Sequence, residues 1–460
     1  MTPRKDHFPH PQPPRRRRKL PVTNPDAAGI DVGAEEHWAC VPADRDPEPV
    51  RRFGTCTLDL EALADWLQGC GVTTVAMEST GVYWIPLYEL LEARGLQVLL
   101  VDTRQVARAP GRPKTDAKDC QWIQRLHSYG LLSAAFRPAD QVVVLRAYLR
   151  QRDMLVTYAG QHIQHMQKAL EQMNVKLTEV VSDITGVTGM GIIQAILRGQ
   201  RAPVELAQLR DPRCKQSEAT IARALHGNWR EEHLFALRQA VALYDFYHQQ
   251  ISNCDQAIEE HLRTFADKSA GQRLPYRPRR RKREANEPRF DARARLYCVC
   301  GVDLTAIEGI DETTALVLLS EIGTDMSRWP SLKHFCSWLG LCPQHKISGG
   351  RVLSRRVRRG ASRAKRALRL AARSLHHSKS ALGAFFRRIR SRHGTPAAIT
   401  AAAHKLARLV YSLLKNGTDY VAQGMAEYEA KYRERKLQGM ARQARELGFQ
   451  LVPVVAAAEG

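Results

Sequence analysis

Short apolar runs alternate with amphipathic stretches over residues 27–135, and their periods predict the local elements. Apolar runs of strand length predict β-strands, and apolar positions three or four residues apart predict helices. The predicted strands cover residues 28–32, 37–41, 50–56, 73–78 and 97–102, and the predicted helices cover residues 59–68, 82–94 and 115–129. A three-strand meander followed by alternating helices and strands predicts an α/β domain with a mixed sheet of the ribonuclease-H kind.

Two later stretches carry an apolar residue every seven positions, which is the repeat of a coiled coil. The first seam runs through Leu149, Val156, Ile163, Leu170 and Leu177, with Gly160 and Arg152 expected to weaken it, and the second runs through Leu237, Tyr244, Ile251, Ile258 and Phe265. We therefore predict a long antiparallel coiled coil whose tip holds residues 184–230. The pattern leaves open whether the coil packs within one chain or joins subunits, and we favour the joining role.

The remaining C-terminal sequence predicts mainly helices. Residues 307–315 suggest a helix-hairpin-helix-like element that turns at Gly309 and offers backbone N–H groups to a phosphate, although an ordinary helix-turn-helix connection fits the same residues. Composition divides the chain into six predicted segments. They are a disordered basic arm (1–26), the α/β domain (27–135), a helical insert (136–270), a basic linker (271–295), a C-terminal domain (296–425) and a helical tail (426–460).

Four carboxylates occupy the ends of predicted elements in the first domain. Asp31 and Glu78 lie at strand ends, and Asp116 and Asp119 lie three residues apart at a helix start, where they share one face. Each residue alone is well explained as a turn, capping or first-turn acid. Together they predict a cluster that repels itself unless cations bind it, and carboxylate oxygens suit Mg²⁺. We predict two Mg²⁺ ions, with Lys114 and Lys118 flanking the site against a nucleic-acid strand.

The charge balance points to a polyanionic partner. The chain carries 70 Lys and Arg residues against 47 Asp and Glu residues, a formal net charge of +23. Residues 326–418 hold 21 of these basic residues and no acid. Such a single-sign surface is costly to fold unless it meets phosphate, so we expect this region to line a nucleic-acid path.

A second chemical candidate is Ser348, which precedes two glycines. From spacing alone it is a turn residue, because Ser-Gly-Gly is common loop chemistry. The surrounding cations nevertheless suit a reacting phosphate. The candidate nucleic-acid contacts are Arg351, Arg355, Arg356, Arg358 and Arg359 beside it, and Arg366, Arg369 and Arg373 along the following helix.

The ten cysteines contain no C-x-x-C pair, so we expect reduced core thiols rather than a zinc site. No apolar run approaches the ~20 residues of a membrane span, and the N-terminus lacks a hydrophobic signal segment. These features predict a cytoplasmic protein with no membrane partner.

Four segments together resemble the signature segments of the DEDD transposases of insertion sequence family 110. They are Met77–Trp84 (MESTGVYW), Lys114–Asp119 (KTDAKD), Gly340–Pro343 (GLCP) and Ser348–Gly349. The resemblance spans about residues 27–416. It implies a RuvC-like domain, a coiled coil and a C-terminal transposase domain. It also implies that Asp31, Glu78, Asp116 and Asp119 bind the metals and that Ser348 is the nucleophile.

The resemblance further implies a bacterial, nucleoid-associated recombinase guided by a structured bridge RNA that pairs with donor and target DNA. It implies tetramers, assembled from dimers, in which the RuvC-like site of one subunit is completed by the serine of another. We expect strand transfer through a phosphoserine intermediate. The alternatives are a metal-dependent endonuclease or junction resolvase in which Ser348 only shapes a loop, and a non-enzymatic nucleic-acid-binding protein.

Overall fold

The computed structural model describes residues 20–102, 115–276, 286–344, 346–354, 356–357 and 362–452. The chain forms two compact units, residues 1–137 and residues 138–460, which are described separately below. The predicted basic arm lies almost wholly outside the described residues, as does the centre of the predicted linker. The division into six segments stays a prediction.

The first unit contains a mixed sheet with helices beside it, as its apolar runs predicted. Its strands are β1 (Ala27–Val32), β2 (His37–Cys40), β3 (Val50–Phe53), β4 (Thr74–Glu78) and β5 (Gln97–Val101), and its described helices are α1 (Thr57–Gly69), α2 (Trp84–Ala93) and α3 (Asp116–Ser128). The five strands lie in the order β3-β2-β1-β4-β5. The meander pairs are antiparallel, whereas β1–β4 and β4–β5 are parallel. This arrangement is consistent with a ribonuclease-H-like fold, and it places β1 at the centre of the sheet.

The two faces of this sheet bury different residues because side chains alternate along each strand. Ile30 and Met77 are fully buried on one face, in the core that also contains Leu63 of α1 and Leu91 of α2. On the other face, Ala76 of β4 and Val101 of β5 pack with Ile123 of α3. Gly29 and Asp31 alternate with Ile30, so they face α3.

The second unit is mainly helical and is built on two long helices, α4 (Asp140–Gln172) and α9 (Glu231–Leu262). They run antiparallel, because Gln141 contacts His261 near one end while the rings of Tyr158 and Tyr247 lie 5.6 Å apart further along. The heptad positions that lie in these helices are buried or half-buried. The sequence prediction misplaced the seam ends, since Leu177 lies in a separate short helix and Phe265 lies beyond the end of α9. The coiled-coil supercoil itself stays a prediction.

A buried ion pair crosses the two long helices. Arg152 and Asp255 are 4% and 2% exposed, and Arg152 Nε lies 2.6 Å from Asp255 Oδ1. Arg152 also donates to the carbonyl of Asn286, and Asp255 accepts from the backbone N–H of Arg289. Arg152 was expected to weaken the seam, but here its charge is paired. The pair holds the C-terminal part of the predicted basic linker against the helices. Breaking such a pair by removing one partner costs about 3–5 kcal/mol, because a buried charge is left uncompensated.

Shorter helices form the tip of the long pair and the C-terminal part of the unit. The tip contains α5 (Leu177–Val180), α6 (Val187–Leu197), α7 (Pro203–Ala207) and α8 (Glu218–Ala224). The C-terminal part contains α10 (Ala292–Cys300), α11 (Glu312–Ile322), α12 (Leu332–Trp338), the hairpin β6 (Lys346–Ser348) and β7 (Arg351–Ser354), α13 (Arg363–Ser374), α14 (Ala381–His393), α15 (Thr395–Asn416) and α16 (Thr418–Glu446), with 3₁₀ turns at Leu304–Ala306, Met326–Arg328 and Leu375–His377. Among the described helices, none combines the length and hydrophobicity needed to cross a lipid bilayer.

The segment predicted as a helix-hairpin-helix-like element leads into α11. Asp311 caps this helix by accepting a hydrogen bond from the backbone N–H of Thr314 at 2.7 Å. Gly309 has a φ of +87°, and a Cβ there would lie 2.9 Å from the carbonyl oxygen of Ala371 on α13. The glycine therefore serves both the turn and a close approach to α13. A phosphate-binding role for this element stays a prediction.

Candidate active site

The central strand of the first unit presents Asp31 on the face of the sheet that α3 covers. Asp31 lies opposite Trp38 of β2 and directly follows Ile30, which pairs with Met77 of β4. It is half-buried, whereas its neighbours Ile30 and Val32 are buried on the opposite face. The side-chain alternation of a buried strand thus puts one carboxylate among apolar residues at the middle of the sheet.

The first turn of α3 brings two more carboxylates to the same place. Thr115 precedes the helix in an extended conformation, and Asp116 and Asp119 form its first turn. Acids are favoured there because the helix dipole presents its positive end. The oxygens of Asp31, Asp116 and Asp119 lie within 4.8 Å of one another. Asp31 and Asp119 are half-buried, and Asp116 is exposed.

This donor set fits a hard divalent cation. Three converging carboxylates supply oxygen ligands only, which is the chemistry that Mg²⁺ and similar ions take in proteins. Like charges at this distance disfavour one another unless a cation or protons compensate them. A bound divalent cation would therefore lower the mutual repulsion of these carboxylates.

Glu78, the remaining predicted ligand, ends the neighbouring strand β4. It pairs with Val101 of β5, and strand alternation puts it on the face that α3 covers, like Ala76. Ser79, the next residue, donates through its hydroxyl to the carbonyl of Val101 at 3.0 Å, which holds the end of β4 against β5. Within the part of the chain that the structure describes, the acids that converge to 4.8 Å are the three aspartates and do not include Glu78. Of the predicted flanking lysines, Lys118 is exposed on the first turn of α3, and Lys114 lies outside the described residues.

A pair of buried thiols adjoins the cluster and was predicted only as core filling. Cys120 follows Asp119 in α3, and its thiol donates to the carbonyl of Ala117 at 3.1 Å. A hydrogen bond with Cys40 of β2, burial, and the nearby charge of Asp31 raise the pKa of Cys120 above its usual range. Cys120 therefore stays a neutral thiol beside the carboxylates and adds no negative charge to them.

The contacts that seat α3 on the sheet were not foreseen from the sequence. A Cβ at Gly29 would lie 2.1 Å from the backbone nitrogen of Gln124 and 2.6 Å from the carbonyl oxygen of Cys120. The Gln124 amide donates to the carbonyl of Ala27, and His127 contacts the hydroxyl of Thr74 at 2.9 Å. The sequence offered one sign of these contacts, which is the position of the polar residues Gln124 and His127 on the inner side of an amphipathic helix. That sign does not identify their partners.

Ser348 occupies the tip of the β6–β7 hairpin in the second unit. It pairs with Arg351 across a two-residue loop of Gly349 and Gly350, whose φ angles are +52° and +74°. Positive φ at both loop positions is the geometry of a type I′ hairpin turn and favours glycine. Ser348 and Arg351 are exposed. The Ser-Gly-Gly sequence is thus turn chemistry, as its spacing indicated, and the turn leaves the hydroxyl accessible.

Basic side chains follow the hairpin. Arg356 is exposed, whereas Arg355, Arg358 and Arg359 lie outside the described residues. On α13, Arg366 and Arg373 are exposed and Arg369 is half-buried. These positions form the predicted basic stripe opposite the buried Ala364 and Leu368.

Lys365 was not singled out in the sequence, yet it is buried on α13. Burial, and then the charge of Arg369, lower its pKa. The sequence around Lys365 did not indicate that this lysine would be buried.

Comparisons with known proteins bear on both regions. The family model of DEDD-type IS110 transposases matches residues 28–175, and that of the IS116/IS110/IS902 transposase family matches residues 301–387, so together they cover about half of the chain. An uncharacterised 43.6 kDa protein of insertion element IS110 from Streptomyces coelicolor is 34% identical over 122 residues. That match spans 25% of this chain and 29% of the relative, so the chain covers less than a third of that protein's length. The chain belongs to the IS110 family of transposases.

Proposed function

We propose that the protein is a DNA transposase that cuts and rejoins strands with the help of divalent metal ions. The observation that carries the proposal is the convergence of Asp31, Asp116 and Asp119 at the centre of a ribonuclease-H-like sheet. Membership of a transposase family supports DNA as the substrate. No single acid would carry this proposal, because acids at strand ends and first helical turns are common without chemistry.

The three aspartates, with Glu78 at the end of the adjacent strand, are the residues that would hold the cations. We infer two Mg²⁺ ions, since a pair of ions bound at such a site stabilises both the attacking and the leaving oxygen of a phosphodiester. The protein's part is to keep the carboxylates converged on one face of the sheet. Lys118, which is exposed beside Asp119, would contact the phosphate backbone near the site.

We assign the nucleophile to Ser348. Its hydroxyl oxygen attacks the scissile phosphorus, the bond from phosphorus to the 3′ oxygen breaks, and the products are a phosphoserine on one DNA end and a 3′-hydroxyl on the other. The 3′-hydroxyl of the exchanged strand then attacks the phosphoserine, which restores the serine hydroxyl and rejoins the DNA. The exposure of Ser348 on a tight glycine turn supports this role. Arg351 and Arg356, which are exposed near it in sequence, would neutralise charge at the phosphate.

The acid-free region supports a nucleic-acid path along the second unit. Arg366, Arg369 and Arg373 offer positive charge on one side of α13, and in residues 326–418 the sequence places no acid to compensate it. We include Arg355, Arg358 and Arg359 in the same path on sequence grounds. Each phosphate contact releases counterions, so binding through this surface weakens steeply with salt.

Family resemblance extends the proposal to partners. We infer that a structured bridge RNA guides the enzyme to donor and target DNA in the bacterial nucleoid. We also infer that dimers assemble into tetramers in which the serine of one subunit completes the metal site of another. Exposed apolar residues on the long helices, including Tyr158 and Phe246, support a subunit-joining role for the predicted coiled coil.

Denaturing gels on end-labelled DNA test the serine step. The wild type incubated with Mg²⁺ should give a protein–DNA adduct that survives denaturation, and Ser348→Ala should give none. Ser354→Ala, four residues after the hairpin loop, is the matched control and should keep the adduct. Cleavage by Ser348→Ala without any adduct would indicate a metal-dependent endonuclease, which is the alternative to a serine recombinase.

A further inference from the structure

The C-terminal half of α3, which lies away from the carboxylates, is hydrogen-bonded to the sheet and to the chain before it. Asn24, just before β1, donates through its side chain to the carbonyl of His127, and the backbone N–H groups of Thr23 and Asn24 donate to the carbonyl of Ser128. Gln124 bonds to the carbonyl of Ala27. The end of α3 is therefore tied to the chain that enters the central strand.

His127 ties the same end of α3 to β4. It is 5% exposed, and its Nε2 lies 2.9 Å from the hydroxyl oxygen of Thr74. Thr74 donates its one hydroxyl proton to the carbonyl of Gln97 on β5, so it accepts from His127. His127 is thus the donor, with its proton on Nε2, and burial keeps the ring neutral by lowering its pKa.

Gly29 sets how closely α3 approaches β1. A Cβ there would lie 2.1 Å from the backbone nitrogen of Gln124, whereas real Cβ contacts essentially never fall below 3.0 Å. The clash is with backbone, so a rotamer change cannot relieve it and the helix would have to move. Gly29 lies two residues before Asp31 on β1, and both residues lie on the face of the sheet that α3 covers.

We propose that Gly29 and His127 are positioning residues that set the place of the first turn of α3, and so of Asp116 and Asp119, opposite Asp31. This inference rests on the proposed metal-binding role of the cluster. An α-helix is a rigid rod that rises about 1.5 Å per residue, so a displacement at its seat is carried to its first turn. Metal–ligand distances tolerate only about 0.2 Å, which makes the cluster sensitive to that displacement.

Binding of Mn²⁺ to the full-length protein, followed by electron paramagnetic resonance of the free ion, tests the inference without using activity. Gly29→Ala and His127→Leu should each weaken Mn²⁺ binding about 10- to 100-fold, the usual effect of disturbing groups that orient metal ligands. His127→Gln should restore affinity towards the wild type, because its amide can donate to Thr74.

Leu63→Ala is the matched control. Leu63 is fully buried on α1 against the opposite face of the sheet, so its truncation costs folding stability without touching α3. It should leave the affinity for Mn²⁺ unchanged. If Gly29→Ala fails to fold, the difference between His127→Leu and His127→Gln carries the test.

Two results would contradict the inference, and they are distinguishable. If Asp119→Asn loses Mn²⁺ while Gly29→Ala and His127→Leu bind it as the wild type does, the positioning role is wrong and the metal site stands. If Asp119→Asn binds Mn²⁺ as the wild type does, the metal-binding proposal fails, and the positioning role fails with it.

Discussion

The carboxylate cluster and the serine hairpin differ in how extensively the surrounding structure packs against them. Asp31 and Asp119 are half-buried, on a central strand and on a helix that is tied to that strand by close backbone packing. Ser348 lies on a two-stranded hairpin whose Ile347 and Leu353 are 62% and 68% exposed. An isolated two-stranded hairpin is marginally stable in water. The first candidate centre is therefore preorganised by its own unit, whereas the second gains little order from the packing of its own strands.

The difference suggests a division of labour. A metal site needs ligands held to a fraction of an ångström, so it belongs on a sheet and a docked helix. A nucleophile that must reach a phosphate benefits from exposure on a short turn. Exposed apolar side chains on both strands of the hairpin are typical of an interaction surface.

The largest effect is expected from the preorganised centre. Asp119→Asn should lower Mg²⁺-dependent strand cleavage on the order of 10³-fold, since losing several kcal/mol of charge stabilisation costs a factor of ten for each ~1.4 kcal/mol. Single-turnover cleavage assays measure this. Asp65→Asn removes an exposed acid of α1 that pairs with Arg94, and it should leave the rate unchanged. Equal rates for Asp119→Asn and the wild type would remove the cluster from catalysis.

A smaller effect is expected from the hairpin, on activity more than on stability. Gly350→Ala puts a Cβ at a φ of +74°, which costs about 1–2 kcal/mol in the hairpin. Formation of the serine adduct should fall roughly tenfold, while the melting temperature should hardly change because the hairpin contributes little to the core. Gly439→Ala, in α16 where a Cβ meets open space, is the control. A large drop in melting temperature for Gly350→Ala would show that the hairpin is an integral part of its unit.

The smallest effect is a pH dependence of the stability of the first unit. Burial lowers the pKa of His37 and His127. Below about pH 6.5 these histidines therefore bind protons in the unfolded chain more readily than in the folded unit. The free energy of unfolding of this unit should therefore fall as the pH drops from about 6.5, by at most about 1.4 kcal/mol per pH unit for each histidine.

Hydrogen exchange of α3 peptides between pH 7 and pH 5, corrected for intrinsic rates, should report that loss, with no matching change in the β6–β7 hairpin. His127→Gln should flatten the dependence, and His334→Gln, at an exposed position of α12, should not. Equal acid sensitivity of the hairpin would break the contrast between the two centres.

Much of the first unit could be predicted because its signals are local. Buried strands read as apolar runs, and an acid at a strand end or in a first helical turn stands out against them. Arg152 shows the opposite case. It looked like a defect in a heptad seam, but Asp255 lies 103 positions away in sequence, so no local pattern could reveal their pairing. The burial of Lys365 could not be predicted from local sequence either.

The sequence by itself determined the mixed sheet, the acids at its element ends, the glycine turn that presents Ser348 and the concentration of positive charge in residues 326–418. These are properties of neighbours in the chain, which period, composition and turn chemistry express directly. The tertiary structure decided that Asp31, Asp116 and Asp119 converge and how α3 is seated. The convergence depends on the distance between β1 and α3, whose acids are more than eighty residues apart in sequence. These two elements can approach closely because glycine at position 29 has no side chain.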